Sequence, residues 1–162
     1  MTEYKLFLDL DGVLADFDRG VKDITGKLPS QLFIGTMWSI LSKTDGFYNL
    51  LPWMSDGREL WETLSGFNPV ILTGLPRGSW AEPQKREWCA RELGPDVEVI
   101  ACMTRDKAER AGAATPGGVV PVLVDDRDKT RESWEAMGGV FIHHSNTKRS
   151  LAVLREKGIL IS

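Results

Sequence analysis

Residues 4–12 read YKLFLDLDG, a short apolar run with an acidic end. Its apolar run ends in two spaced carboxylates, Asp9 and Asp11, and is followed at once by Gly12. Short apolar runs bounded by acidic or glycine residues are typical of strands that are buried on both faces of a parallel sheet. The stretch therefore predicts a buried first strand with two acidic side chains at its carboxyl end.

Four more short apolar runs and several helix-like stretches follow along the chain. The apolar runs are 69–73, 97–102, 119–125 and 139–143, and the helix-like stretches are 82–93, 105–113, 127–137 and 147–157. Alternation of strands and helices favours parallel strands that are joined by right-handed helical crossovers. We expect an α/β fold with a doubly wound parallel sheet of about five strands, in which ligands bind at the carboxyl ends of the strands.

Residues 18–66 interrupt this alternation. They contain helix-like pieces at 30–43 and 56–65 but no clear strand, so we interpret them as a small helical cap within a single domain of 162 residues. Three tryptophans lie in this segment, and they indicate a small aromatic-walled pocket: Trp38, Trp53 and Trp61.

The composition excludes several classes of protein. A net charge of -3 without a basic run argues against a long nucleic acid as partner. No apolar run is long enough to span a bilayer, and the acidic N-terminus is unlike a secretory signal, so we expect no membrane association. Cys89 and Cys102 form neither a disulfide framework nor a metal-ligand pattern, which favours a cytoplasmic location.

A second acidic pair, Asp125 and Asp126, ends the fourth predicted strand. Both acidic pairs should lie at one edge of the sheet, because the carboxyl ends of parallel strands coincide there. Carboxylates within about 4 Å of each other repel by roughly 4 kcal/mol per pair, so a cluster of them requires a cation or raised pKa values. Mg²⁺ binds carboxylate oxygens and leaves positions for a phosphate oxygen, and we therefore predict a magnesium site.

Groups that can bind phosphate are predicted at the same edge. Thr73 and Gly74 follow the second strand and offer a hydroxyl and accessible backbone N–H groups. Lys107, near a predicted helix start, adds positive charge, with Lys85 as the alternative source of this amine. Lys85 and Arg77 are otherwise predicted to be solvated. Asp16 and residues 145–147 are predicted to cap helices. His143 and His144 are predicted to end a strand.

Taken in order, DLDGVLADF, ILTG, TRDK and LVDDRDK resemble the four-part pattern of the haloacid dehalogenase-like (HAD-like) superfamily. DLDGVLADF, MTRDK and LVDDRDKT are further similar to the 5'(3')-deoxyribonucleotidases of that superfamily, and the resemblance extends over most of the chain. It implies a HAD-like Rossmannoid core and a Mg²⁺-dependent phosphomonoester hydrolase that forms an aspartyl-phosphate.

The resemblance also implies roles for individual residues. Asp9 would be the nucleophile, Asp11 the general acid and base, and Thr73 and Lys107 the phosphate ligands. The metal would be held by Asp9, the Asp11 carbonyl and the Asp125–Asp126 pair, and Phe17 and Trp38 fall where family members wall the nucleoside pocket. The region from Gly20 to Leu64 looks shorter than the cap of the animal enzymes.

Three alternatives remain open. The substrate of the phosphatase is expected to be a (deoxy)nucleoside monophosphate, but another small phosphate ester or a polynucleotide 3'-phosphate is compatible with the same residues. A phosphotransferase or mutase of the superfamily would share the whole core, although a modest cap favours hydrolysis. A phospho-receiver module has similar groups in a different order, because its adjacent acidic pair comes first and its lysine last.

Overall fold

Five strands form one parallel sheet in the computed structural model, which describes residues 1–161. The strands are β1 (Glu3–Leu8), β2 (Val70–Gly74), β3 (Val99–Cys102), β4 (Val119–Asp125) and β5 (Val140–His143). Each coincides with a predicted strand to within a residue or two. The predicted α/β fold with a doubly wound parallel sheet is therefore confirmed.

The order of the strands in the sheet, β3-β2-β1-β4-β5, places β1 in the centre. From β1 the chain moves outward through β2 to β3, and it then returns to the other side of β1 as β4. The crevice between the carboxyl ends of β1 and β4 is thus the point where the direction of winding reverses. Open α/β sheets bind their ligands at such a point.

Seven α-helices are present in the described residues: α1 (Phe17–Thr25), α2 (Ile34–Ser42), α3 (Gly57–Leu64), α4 (Ala81–Glu92), α5 (Lys107–Ala113), α6 (Arg131–Ala136) and α7 (Thr147–Glu156). Several begin later than the sequence pattern predicts, because short 3-10 turns precede α2, α5 and α6. The predicted caps are present at two of them. Asp16 accepts a hydrogen bond from the N–H of Arg19 at the start of α1, and Asn146 accepts one from the N–H of Arg149 at the start of α7.

The sheet is buried on both faces, as the apolar runs indicate. Along β1, Leu6 and Leu8 pack into the core on one face while Phe7 packs on the other, as expected from the alternation of side chains in a strand. Phe7 meets Trp134 of α6 edge to face at 5.5 Å between ring centres. Burying a side chain of this size stabilises the fold by about 1.5 to 3 kcal/mol, so this central strand is firmly fixed.

The segment between β1 and β2 contains α1, α2 and α3, and residues of α1 and α2 line the cavity at the carboxyl edge of the sheet. Two hydrogen bonds join it to α4: Trp88 Nε1 donates to the Leu51 carbonyl at 2.9 Å, and the Tyr48 N–H donates to Gln84 Oε1 at 2.8 Å. This part of the cap is therefore bound to the core. Across the described part of the chain, no helix has the length and apolar character needed to cross a membrane.

Candidate active site

Three carboxylates converge where β1 and β4 end. Asp9 directly follows β1, Asp125 is the last residue of β4, and Asp126 is the next in the chain. Leu8 and Val124 are partners in the parallel ladder, so Asp9 and Asp125 leave the sheet side by side. Each of the three offers an oxygen within 4.8 Å of the others, and Asp9 and Asp125 are buried. Such a group can hold a metal ion.

The Lys107 side chain joins this group from α5. Its Nζ lies 3.1 Å from Asp9 Oδ1 and 3.0 Å from Asp125 Oδ2 and donates a hydrogen bond to each. The side chain is almost completely buried. Burial alone would lower the pKa of Lys107, but the charges of Asp9 and Asp125 outweigh it and raise the pKa above its usual value. Lys107 is thus a permanently charged partner of two carboxylates.

The three carboxylates differ in their affinity for protons. Burial would raise the pKa of Asp9, but the Lys107 charge and hydrogen bonds from its neighbours leave the pKa below its usual value. Burial and the Asp9 charge raise the pKa of Asp125 to about 6 and that of Asp126 to about 8. Asp126 Oδ1 is buried and lacks a hydrogen-bond partner among the described residues. A divalent cation would satisfy this oxygen and fits a site made of carboxylate oxygens.

Gly12 allows the Asp126 carboxyl group to take this position. The backbone at Gly12 has φ +82°, a conformation that side chains disfavour, and a Cβ atom there would lie only 2.6 Å from Asp126 Cγ. Carbon atoms in contact are normally about 3.5 to 4.0 Å apart. A side chain at residue 12 would therefore displace the Asp126 carboxylate.

Asp11 lies outside the group of three carboxylates and is bound by a second lysine. Lys85 Nζ donates hydrogen bonds to Asp11 Oδ2 at 2.8 Å, Thr73 Oγ1 at 2.9 Å and the Gly74 carbonyl at 2.6 Å. Burial raises the pKa of Asp11, although the Lys85 charge opposes this shift. Asp9 and Asp11 thus have environments that shift their pKa values in opposite directions.

The prediction that Lys85 is solvated is wrong, because its side chain is 1% exposed. Lys85 lies on the inner face of α4 together with Ala81, Trp88 and Cys89. The spacing of these residues at i, i+4, i+7 and i+8 is the sequence signal that identifies a buried helix face. The many charged residues elsewhere in α4 conceal that signal.

Thr73 and Gly74 occupy the neighbouring strand end. The Thr73 side chain is fully buried, and its hydroxyl oxygen accepts the hydrogen bond from Lys85. Gly74 lines the cavity above the carboxylates, and a Cβ atom there would lie 2.5 Å from Thr104 Oγ1. The Thr104 hydroxyl therefore packs directly on Gly74. Thr104, which sequence reasoning did not single out, begins the quoted TRDK motif.

A cavity of about 700 Å³ opens above these groups. Asp9, Asp11 and Lys107 line its floor, and aromatic rings from the cap form one wall. Phe17 and Trp38 lie 5.9 Å apart between ring centres, so the two predicted pocket residues are neighbours. Further wall and rim residues were not predicted from the sequence. They are Tyr48, which stacks on Phe17 at 6.0 Å, and the charged residues Asp16, Asp18, Arg127 and Lys129.

The other two tryptophans of the cap lie elsewhere. Trp53 donates from Nε1 to Glu92 at 2.8 Å and packs against Trp88 of α4. Trp61 lines a separate cavity of about 650 Å³ with Tyr4 and Pro69, near the amino ends of the strands. The predicted aromatic pocket therefore contains Trp38 but neither Trp53 nor Trp61.

The two histidines after β4 differ in exposure. His143 ends β5 and is exposed, and its Nε2 lies 2.9 Å from the Asp126 carbonyl oxygen. His144 is buried beside the cavity, with Nδ1 2.7 Å from Ser150 Oγ. Burial lowers the pKa of His144. These contacts fix the chain at the end of the last strand.

Comparison with protein-family models gives one match, to the N-terminal domain of glutathione S-transferase, over residues 82–137. This segment covers less than half of the chain and runs from α4 to the end of α6. Its strands β3 and β4 belong to the five-stranded sheet described above, with β2 and β1 between them, so the match does not describe the fold. Comparison with curated protein sequences gives no match.

Comparison with solved structures gives similarities over nearly the whole chain. An L-2-haloacid dehalogenase from Xanthobacter autotrophicus, with chloropropionic acid covalently bound, has a TM-score of 0.59 at 12% identity and covers 99% of this chain and 85% of its own. A HAD-family hydrolase from Deinococcus radiodurans R1, with bound phosphate and sodium, has a TM-score of 0.58 at 14% identity, covering 98% and 97%. A HAD-family enzyme from Bacteroides thetaiotaomicron, in a magnesium complex, has a TM-score of 0.50 at 13% identity, covering 89% and 94%.

These proteins share the architecture derived above, a parallel five-stranded sheet flanked by helices. Identities of 12 to 14% establish the fold and nothing finer. The chain has the fold of the HAD-family hydrolases.

Proposed function

We propose that the chain is a Mg²⁺-dependent phosphomonoester hydrolase in which Asp9 is transiently phosphorylated. One observation carries the proposal: Asp9 lies at the floor of the cavity, hydrogen-bonded to Lys107 and grouped with Asp125 and Asp126. A carboxylate nucleophile must be ionised to attack, and the lowered pKa of Asp9 meets this condition. The phosphate bound to the Deinococcus radiodurans relative supports this substrate class.

The opposite pKa shifts of Asp9 and Asp11 support a division of labour. An Asp9 oxygen attacks phosphorus, and the bond from phosphorus to the leaving oxygen breaks while Asp11 donates a proton to that oxygen. A water then attacks the aspartyl-phosphate with Asp11 accepting its proton, which restores Asp9 and releases inorganic phosphate. Burial, which raises the pKa of Asp11, keeps the proton available for the first step.

The metal site of this proposal consists of Asp9, Asp125 and Asp126. Asp126 Oδ1 is buried without a hydrogen-bond partner in the described part of the chain, and a bound cation would supply the missing partner. When bound, Mg²⁺ would neutralise the charge of the carboxylates and of the substrate phosphate. The magnesium complex of the Bacteroides thetaiotaomicron relative supports this choice of ion.

The size and lining of the cavity support one class of substrate. Its volume of about 700 Å³ suits a small molecule, and Phe17, Trp38 and Tyr48 offer aromatic faces beside the carboxylates. Stacking of a nucleobase on such a face contributes about 1 to 3 kcal/mol. We therefore propose small nucleoside monophosphates, deoxynucleotides among them, as the preferred substrates. Sugar phosphates would gain nothing from this wall.

A substrate panel tests the proposal. Purified protein with Mg²⁺ is given nucleoside and deoxynucleoside 5'- and 3'-monophosphates, sugar phosphates, p-nitrophenyl phosphate, a 3'-phosphorylated oligonucleotide and 2-chloropropionic acid. Phosphate and chloride release are measured. Nucleoside monophosphates should be hydrolysed best, and EDTA should abolish turnover until Mg²⁺ is restored. Release of chloride without release of phosphate would instead indicate a dehalogenase, and full activity after thorough chelation would remove the metal from the mechanism.

Mass spectrometry of quenched reactions tests the intermediate. Asp11→Asn keeps the nucleophile but loses the proton carrier, so p-nitrophenyl phosphate should still phosphorylate Asp9 while hydrolysis slows by roughly 10²- to 10⁴-fold. The peptide containing Asp9 should then carry one phosphoryl group. Asp9→Asn should be inactive, whereas Asp128→Asn, an exposed carboxylate near the same strand end, should match the wild type. Phosphate on another residue, or appreciable activity of Asp9→Asn, would refute the mechanism.

A further inference from the structure

The Lys85 ammonium is buried beneath the floor of the cavity, and all of its hydrogen bonds go to three groups. It has three N–H donors and makes three hydrogen bonds, to Asp11 Oδ2, Thr73 Oγ1 and the Gly74 carbonyl. Its Nζ also lies 4.5 Å from the centre of the Tyr48 ring. No donor remains for a substrate, so Lys85 acts on the site through the residues that it holds.

The hydrogen bond to Thr73 sets the direction of the Thr73 hydroxyl. A lysine ammonium can only donate, so the Thr73 oxygen must accept from it. The hydroxyl proton of Thr73 is thereby directed to another acceptor. Thr73 directly precedes Gly74, the last residue of β2, at the carboxyl edge of the sheet. Its hydroxyl makes no donated hydrogen bond among those found in the described residues.

The hydrogen bond to Asp11 has a similar effect on the carboxyl group. Oδ2 of Asp11 is held by Lys85 at 2.8 Å, while Oδ1 is buried and has no hydrogen-bond partner among residues 1–161. Of the two carboxyl oxygens, Oδ1 is therefore the one that Lys85 leaves without a hydrogen bond. Proton transfer in catalysis requires such a fixed geometry, and a displacement of about 1 Å can cost roughly 10²-fold in rate.

We propose that Lys85 is a positioning residue that orients the Asp11 carboxyl group and the Thr73 hydroxyl toward the substrate phosphate. The proposal rests on the phosphatase function proposed above. It differs from the role of Lys107, which binds the nucleophile, because Lys85 binds the proton carrier. Loss of Lys85 should therefore impair the transfer of a proton to the leaving group more than the attack by Asp9.

The dependence of the first turnover on the leaving group tests this inference. Lys85→Met removes all three donors while keeping most of the side-chain volume. Rapid-quench measurement of leaving-group release should show a loss of roughly 10²-fold for a nucleoside monophosphate, whose alkoxide needs a proton. Release of p-nitrophenolate, which needs none, should change by less than about tenfold. Lys5→Met is the matched control, since Lys5 is a half-buried lysine that donates to the Ala114 carbonyl near the opposite edge of the sheet.

A double variant separates positioning from a general effect on folding. In the Asp11→Asn background, Lys85→Met should have a much smaller further effect on the nucleoside monophosphate, because only the contribution through the Thr73 hydroxyl remains. If Lys85→Met does not yield folded protein, Lys85→Arg keeps the buried charge but changes its reach, and the same selective loss is expected.

Equal losses for both leaving groups in a folded Lys85→Met protein, no loss at all, or a full further loss in the Asp11→Asn background would overturn the inference. Each of these results would leave the proposed function intact, because each is measured against a wild-type protein that hydrolyses phosphate esters. A wild-type protein that releases no phosphate from any ester would overturn the proposed function and this inference with it.

Discussion

Substituting Gly12 by alanine should displace the Asp126 carboxylate of the proposed metal site, although Gly12 itself is not a proposed ligand. The new Cβ atom would lie 2.6 Å from Asp126 Cγ, so the carboxyl group must move by about 1 Å to reach a normal carbon–carbon contact. A displacement of this size at a reacting centre costs about 10²-fold in rate. The left-handed backbone at residue 12 adds about 1 to 2 kcal/mol of destabilisation.

Gly26 provides the matched control. It has φ +77°, close to the φ of +82° at Gly12, but a Cβ atom there would meet nothing within 4 Å. Gly26→Ala should therefore lose the same 1 to 2 kcal/mol, or about 2 to 8 °C in Tm, with unchanged activity. Gly12→Ala should lose at least this stability and about 10²-fold in kcat/KM, and it should require more Mg²⁺ for half-maximal activity.

The assay combines phosphate release over a range of Mg²⁺ concentrations with thermal unfolding of each variant. A Gly12→Ala protein with the activity and Mg²⁺ dependence of Gly26→Ala would refute the reasoning. Such a result would mean that the Asp126 carboxylate does not hold the metal, or that it can move without consequence.

Two further predictions concern the protonation of the site and its aromatic wall. Burial raises the pKa of Asp126 in the metal-free protein to about 8, from an ordinary value of 3.8, so the folded state binds more protons than the unfolded state between these values. The free energy of unfolding in EDTA, measured by urea denaturation, should then fall as the pH rises from about 4 to about 8. With saturating Mg²⁺ this decline should be absent. Trp38→Ala should raise KM for nucleoside monophosphates by roughly tenfold to a hundredfold and leave p-nitrophenyl phosphate nearly unaffected, with Trp53→Ala as control. An equal loss on both substrates would indicate a packing role for Trp38.

The sheet and its acidic edge could be predicted from the sequence because both depend on short-range pattern. Apolar runs of a few residues specify strands that are buried on both faces, and acidic residues at the ends of two runs must meet where parallel strands end. The convergence of Asp9 with Asp125 and Asp126 follows from these rules alone. Lys107 was assigned to this edge from its place near a predicted helix start, with Lys85 as the alternative, and its contacts with Asp9 and Asp125 could not be derived in this way.

Lys85 was misjudged because composition and spacing disagree in α4. The sequence AEPQKREWCARE is strongly charged, which is typical of a solvated helix. The side chains at 81, 85, 88 and 89 nevertheless share one face, and this face packs inward. A lysine on such a face is buried only where other buried groups accept its hydrogen bonds. The acceptors here, Asp11 and Thr73, lie at strand ends that are distant in sequence. No pattern within α4 indicates them.

The wall of the cavity was predicted in part for a related reason. The wall residue Tyr48 lies outside the regular helices, in a segment whose position depends on contacts with the core, among them one with Trp80. Their rings lie 5.4 Å apart, which joins the cap to the loop after β2. Counting tryptophans within the cap identified Trp38 but could not distinguish it from Trp53, which faces α4.

The arrangement of residues 84, 85 and 88 along α4 has a mechanical consequence. Gln84 and Trp88 hold the cap at Tyr48 and Leu51, while Lys85, between them in sequence, holds Asp11. One turn of α4 therefore binds both the segment that covers the cavity and the Asp11 carboxylate. A displacement of this turn would change the hydrogen bonds to Tyr48, Leu51 and Asp11 together.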